Sequence, residues 1–161
     1  RVFICHKSAK FKTNFNSIQK CNKLEKKYVN NKQFLSFKKK IQFLSKKLNS
    51  VVKNIVKEKK IIHVCGASTK GNIILQYSKI DKRDISYAAD RNPFKWNRKM
   101  PGSNIPIISE SNSRSKKPNF YLVLPWHFKK EFIMREKKFL SNGGQLIFPL
   151  PKVEIISNNN L

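Results

Sequence analysis

Five residues offer chemistry at close spacing: Gly66, Ser68, Thr69, Lys70 and Gly71. They follow an apolar run, Ile61-Ile62-His63-Val64-Cys65, and precede a second one, Asn72-Ile73-Ile74-Leu75-Gln76-Tyr77. The first run reads as a buried strand and the second has helical spacing. A strand, glycine turn and helix in succession leave backbone N–H groups unpaired, at the end of the helix that carries partial positive charge. That arrangement suits an anion, above all a phosphate. Ser68 and Thr69 would add hydroxyls, and Lys70 a point charge. Two readings stand side by side: an anion site, or a tight turn with no ligand. The stretch is neither of the two best-known phosphate loops. Ser68 stands where the dinucleotide fingerprint needs its second glycine, and Lys70 precedes Gly71 where a Walker A loop has its Lys after the glycine.

A second group is Asp90-Arg91-Asn92-Pro93, at the end of the apolar stretch Ile85-Ser86-Tyr87-Ala88-Ala89. Asp90 follows Gly66 by 24 residues. An acid at the end of the second strand of a mononucleotide fold commonly takes a ribose hydroxyl. The alternative is that Asp90 caps a loop. A third group, Trp126 and His127, follows Leu124-Pro125. His127 would either touch a ligand or pack as a capping residue.

These groups need elements to hold them. Residues 1–5 read as a short strand. A helix starting at Asn16 as N-cap runs to about Tyr28, and Asn30-Asn31 breaks it. Phe34, Phe37, Ile41, Leu44, Leu48, Val51 and Ile55 then recur at steps of three and four, which predicts one apolar helix face. Lys38, Lys39, Lys46, Lys53 and Lys57 read as its solvated side. After the helix that ends near Ser78 come strands at 85–90, 105–108 (an edge strand, because of Pro106), 119–124 and 145–150. Ser109 to Lys117 reads as irregular. Trp126-His127-Phe128 is expected to lead into a helix through Phe132, Ile133, Arg135 and Phe139, ending at Asn142-Gly143-Gly144. Strands alternating with helices predict an α/β fold: a Rossmann-like three-layer sandwich with a mostly parallel sheet, preceded by one or two amphipathic helices. The expected divisions are 1–58, a strand and basic helical segment; 59–155, the Rossmann-like domain; and 156–161, a polar tail. All three candidate groups fall at carboxyl ends of strands, where such sheets bind ligands.

The chain has 161 residues, enough for one domain and extra helix, and a net charge of +26. That charge invites a nucleic-acid partner. However, 29 of the 35 cations are Lys, and Asn reaches 17, a bias A/T-rich codons also produce. Cys5, Cys21 and Cys65 show no C-x-x-C spacing. This predicts no metal site or disulfide framework here and fits a reducing cytoplasm. No apolar run reaches membrane-spanning length. The chain reads as a fragment or the back part of a larger protein.

Five motifs in order carry a resemblance. They are Gly66-Ala67-Ser68-Thr69-Lys70-Gly71-Asn72, Asp90-Arg91-Asn92-Pro93, Pro101-Gly102-Ser103-Asn104-Ile105-Pro106-Ile107, Leu124-Pro125-Trp126-His127-Phe128 and Gly143-Gly144-Gln145-Leu146-Ile147-Phe148-Pro149-Leu150-Pro151. Together they resemble the C-terminal domain of S-adenosylmethionine-dependent C-methyltransferases that act on nucleotide-linked deoxysugars. The resemblance implies a three-part enzyme: a zinc-binding module, a central domain for the methyl donor, and this domain, which helps hold the nucleotide-diphosphate sugar. It implies that S-adenosylmethionine and the catalytic base belong to upstream parts, so no residue here is assigned as catalytic and no cofactor to this chain. Ser68 and Lys70 match the first motif, Asp90, Arg91 and Asn92 the second, and Trp126 and His127 the fourth. The lysine load departs from the family. Two other functions remain open on the sequence: a basic nucleic-acid-binding domain using the helix at 33–57, and a small nicotinamide-binding oxidoreductase domain.

Overall fold

The computed structural model describes residues 2–160, and the chain divides into two compact units, one ending at Lys40 and one beginning at Ile41. In the first, α1 spans Phe15–Tyr28, and α2 begins after it and spans Asn31–Lys57. The N-cap of α1 is Asn14, two residues before the expected Asn16; its side chain accepts from the Ser17 amide at 3.0 Å. Asn30 does separate the helices. Its Nδ2 donates to the Lys27 carbonyl and its Oδ1 accepts from the Gln33 amide, each at 3.0 Å. The strand expected at the start does not form over Val2–Cys5: Val2, Phe3 and Ile4 are exposed, and a strand with no neighbour leaves its ladder unpaired. Arg1 lies outside the described residues.

The second unit holds a sheet of six strands: β1 Ile62–Cys65, β2 Tyr87–Asp90, β3 Ile107–Ser109, β4 Phe120–Val123, β5 Gln145–Phe148 and β6 Glu154–Ile156. Their order is β3-β2-β1-β4-β5-β6, parallel except for β6. β1 and β4 are buried at every position, because helices cover both faces of a central parallel strand. Side chains alternate between two cores. Ile62, Val64, Phe120 and Leu122 face Leu44, Leu48, Val52 and Ile55 of α2 and Leu75 of α3, which spans Thr69–Tyr77. Cys65, Tyr121, Val123 and Phe148 face the other way, towards Leu140. The result is the predicted three-layer α/β sandwich.

The apolar face of α2 is buried only from Leu44 onward; Phe34 and Phe37 are exposed. Lys53 is not a purely solvated residue, since its ammonium lies 2.5 Å from the buried Asp84 carboxylate. Two elements depart from expectation near the site. Residues Glu110–Ser115 form a helix, α4, capped by the Ser109 hydroxyl, where an irregular stretch was expected. The helix after Trp126 is split into α5, Lys129–Arg135, and α6, Lys137–Ser141. β6 pairs antiparallel with β5 and was not foreseen, its three residues being too short for a visible period. Among the described residues no helix is long and apolar enough to cross a membrane.

Candidate functional site

The strand order reverses between β1 and β4, and the crevice above that switch point is where open α/β sheets hold ligands. The glycine turn leaves β1 there. Gly66 adopts φ +85°, and a Cβ on it would lie 2.7 Å from the Pro125 ring at the end of β4. A Cβ on Gly71 would lie 2.5 Å from Leu124. Both glycines thus let the turn and the first turn of α3 sit directly on the end of β4, whose side chains fill the space behind them.

The amides of the turn are partly spent. Gly66 donates to the Ala89 carbonyl at 2.8 Å, Ala67 to Asp90 Oδ2 at 2.9 Å, and Ser68 to the Gly66 carbonyl at 2.9 Å. The Ser68 hydroxyl caps α3 by accepting from the Gly71 amide at 3.1 Å. Among the described residues the Thr69 and Lys70 amides have no acceptor, and both residues are exposed. One dipole-favoured anion position therefore stays open at the start of α3.

Asp90 is buried and engaged by the protein itself. Its Oδ2 accepts from Ala67 and, at 3.0 Å, from Lys95 Nζ, while Oδ1 accepts from the Asn92 amide at 2.9 Å. Lys95 also reaches the Ala67 carbonyl at 2.9 Å, and Trp96 Nε1 donates to the Asp90 carbonyl at 2.8 Å. Asp90 thereby joins the glycine turn to the second motif. Asn92, an exposed residue, caps a 3₁₀ turn over Pro93–Lys95, its Oδ1 accepting from Phe94 at 3.0 Å, and its NH₂ group has no partner among the described residues. Arg91 is largely exposed and lies 3.5 Å from Glu110.

Beside the turn, at the carboxyl ends of β1, β2 and β4, opens a cavity of about 360 Å³. Of the candidates read from the sequence, Gly66, Asp90 and Arg91 line it; Ser68, Thr69, Lys70, Gly71, Asn92, Trp126 and His127 do not. Its other walls include Phe128, Glu131 and Phe132. Trp126 packs on the second core cluster, and His127 stacks on it at 4.1 Å and is exposed. Phe128 ends the fourth motif but was assigned no contact from the sequence, and Glu131 lies in no motif, so nothing in the sequence signalled it.

An ion network stiffens the cavity floor. Arg135 pairs with Glu110 at 3.2 Å and Glu136 at 2.9 Å, and donates to Cys65 Sγ at 3.2 Å. Burial lifts the Cys65 thiol to about 12, which removes it as a nucleophile at neutral pH. His63 is buried beneath, bonded to the Ser113 hydroxyl at 2.8 Å; burial and then Lys116 lower it to about 4, so it is a neutral core residue.

Residues 1–151 match the family described as C-methyltransferase C-terminal domain. A relative, C-methyltransferase NovU of Streptomyces niveus, is 34% identical over 110 residues, which cover 68% of this chain and 26% of NovU. The chain thus spans about a quarter of the length of that curated relative. On both the match and the fold, this protein belongs to the C-methyltransferase C-terminal domain family.

Proposed function

We propose that this chain is the acceptor-holding part of an S-adenosylmethionine-dependent C-methyltransferase, and that its acceptor is a nucleotide-linked deoxysugar. The observation that carries the reading is the carboxyl-edge cavity, which sets a carboxylate, Glu131, and a guanidinium, Arg91, beside the rings of Phe128 and Phe132. Charged hydrogen-bonding groups orient hydroxyls, and phenyl faces accept the C–H face of a pyranose. The diphosphate would lie at the start of α3, on the Thr69 and Lys70 amides, with Lys70 and Arg91 supplying charge and the Ser68 O–H a further donor. With Asp90 engaged in the turn, the ribose or base contact falls to the Asn92 amide group. His127, exposed at the rim, would meet the sugar, with Trp126 holding its ring.

The methyl donor and the base that removes the acceptor proton would be supplied by other modules, a methyl-donor domain and a zinc-binding one. Cys5, Cys21 and Cys65 are free thiols, which suits work in the reducing cytoplasm.

Calorimetric titration of the chain with a thymidine-diphosphate deoxysugar tests this. Lys70→Ala and Arg91→Ala should each weaken binding about tenfold, the scale of one charge-assisted hydrogen bond. Glu131→Gln should weaken the sugar nucleotide and leave bare thymidine diphosphate unchanged. Equal binding by wild type and Lys70→Ala would refute the diphosphate position, and an unchanged response in Glu131→Gln would refute the sugar position.

A further inference from the structure

A second, larger cavity of about 590 Å³ opens at the opposite edge of the sheet, before the amino ends of β4 and β5. Asn119 precedes one of these strands, and Gly143 and Gly144 precede the other. We infer that this cavity is a binding site for a small organic phosphate, a dianion joined to a ring, separate from the acceptor site.

The first support is charge. Arg114, Lys117, Arg135 and Lys138 line the cavity against one carboxylate, Glu136. Glu136 is buried and already taken, by Arg114 and by Arg135, each at 2.9 Å, and both arginines also pair with Glu110, at 3.7 Å and 3.2 Å, so the uncompensated charge is that of the lysines. Lys117 and Lys138 have no acidic partner among the described residues. The excess is local and does not simply reflect a basic chain. The carboxyl-edge cavity has two arginines, Arg91 and Arg135, against Asp90, Glu110 and Glu131. Arg135 borders both cavities, so the difference between them lies in Lys117 and Lys138 at one edge against Asp90 and Glu131 at the other. An uncompensated cationic pocket attracts an anion, and lysines bind phosphate as point charges.

The second support is the wall. Phe139 and Tyr121 lie with ring centroids 4.8 Å apart, and both border the cavity. The Tyr121 hydroxyl is bonded inward to Ser113 at 2.9 Å, so it spends its polarity away from a guest. Gly144 makes room for the Phe139 ring, since a Cβ there would stand 2.4 Å from it. This pair of rings, tilted at 57° to each other, sets apolar surface next to unpaired ammonium groups, which favours a ring bearing phosphate over a bare ion.

Amide NMR of the ¹⁵N-labelled chain, titrated in parallel with phenyl phosphate and inorganic phosphate, tests the site. Saturable shifts at Asn119, Gly143 and Gly144, with phenyl phosphate binding several-fold more tightly, are the expected result. The exposed pair Lys117→Glu with Lys138→Glu should weaken both probes at least tenfold. Phe139→Leu should bring phenyl phosphate down to the affinity of inorganic phosphate. Shifts that fail to saturate and follow the lysines at large, equal affinity for the two probes, or full binding by the double variant would each overturn the inference. Shifts confined to the amides of Ser68–Gly71 would mean that the phosphate sits only at the carboxyl edge, and would overturn it as well.

Discussion

At the residue scale, Asp90 shows how one side chain can look like a ligand contact and also do structural work. Its position after a strand was visible in the sequence, and so was the possibility that it caps a loop. Its partners were not, because Ala67 and Lys95 are brought to it by the pairing of β1 with β2. Its removal should therefore cost stability. Asp90→Ala deletes bonds from two amides and an ammonium, and should lower the unfolding free energy by about 2 kcal/mol in a urea titration. Lys95→Ala, at a half-exposed ammonium, should cost under about 1 kcal/mol. An Asp90→Ala protein as stable as the wild type would mean that Asp90 does not hold the turn.

His63 makes the companion case. Its folded-state value near 4 lies below the ordinary 6.5, so as pH falls the unfolded chain takes up its proton first. The stability it contributes is whole above about pH 6.5 and is lost as pH falls from there towards 4, by up to about 3 kcal/mol. The carboxylates held low, Asp81 by Arg83 and Glu154 by Lys129 and Lys152, add a loss of the same sign as pH falls through the ordinary carboxylate range, so the step from pH 7.5 to 6 belongs to His63. Urea midpoints at pH 7.5, 6 and 5 should fall in that order, and His63→Gln should flatten the slope.

At the scale of elements, legibility followed apolar content. β1, β4 and α3 were readable because a strand buried on both faces is apolar at every position and a covered helix repeats every three to four residues. α4 was not, because Glu110-Ser111-Asn112-Ser113-Arg114-Ser115 has no apolar stripe. It is held by polar means: a Ser109 cap, Ser113 between His63 and Tyr121, and Arg114 on Glu136. The break between α5 and α6 falls at that same Glu136. Its carboxylate is buried by two guanidinium groups on neighbouring elements, and the sequence does not record that encounter. Glu136→Gln should leave those arginines under-compensated and cost about 1–3 kcal/mol, below the usual figure for a fully buried pair because both partners reach solvent. Its urea midpoint decides this; an unchanged midpoint would show that the network contributes nothing to the packing of α4 on α5 and α6.

At the scale of the whole molecule, the net charge of +26 is unevenly answered. Every ion pair among the described residues lies after Ile41, whereas the residues before it include 12 lysines and arginines and a single acid, Glu25. α1 bears the consequence. It buries no residue, so packing does not hold it, and 14 residues is near the limit for a helix standing on its own propensity. Lys20, Lys23, Lys26 and Lys27 fall at spacings of three and four, and each such like-charge pair costs about 0.2–0.5 kcal/mol. Salt should relieve that repulsion, since the Debye length shrinks below the spacing of these side chains as ionic strength rises. Amide exchange over Phe15–Tyr28 should therefore slow several-fold between about 20 mM and about 500 mM salt, while amides of β1 and β4 stay as protected as before. Lys23→Glu, which turns its three repulsive neighbours, Lys20, Lys26 and Lys27, into attractive ones, should give the same protection at low salt. If exchange in α1 ignores both the salt and the substitution, something other than its own helical propensity is holding it.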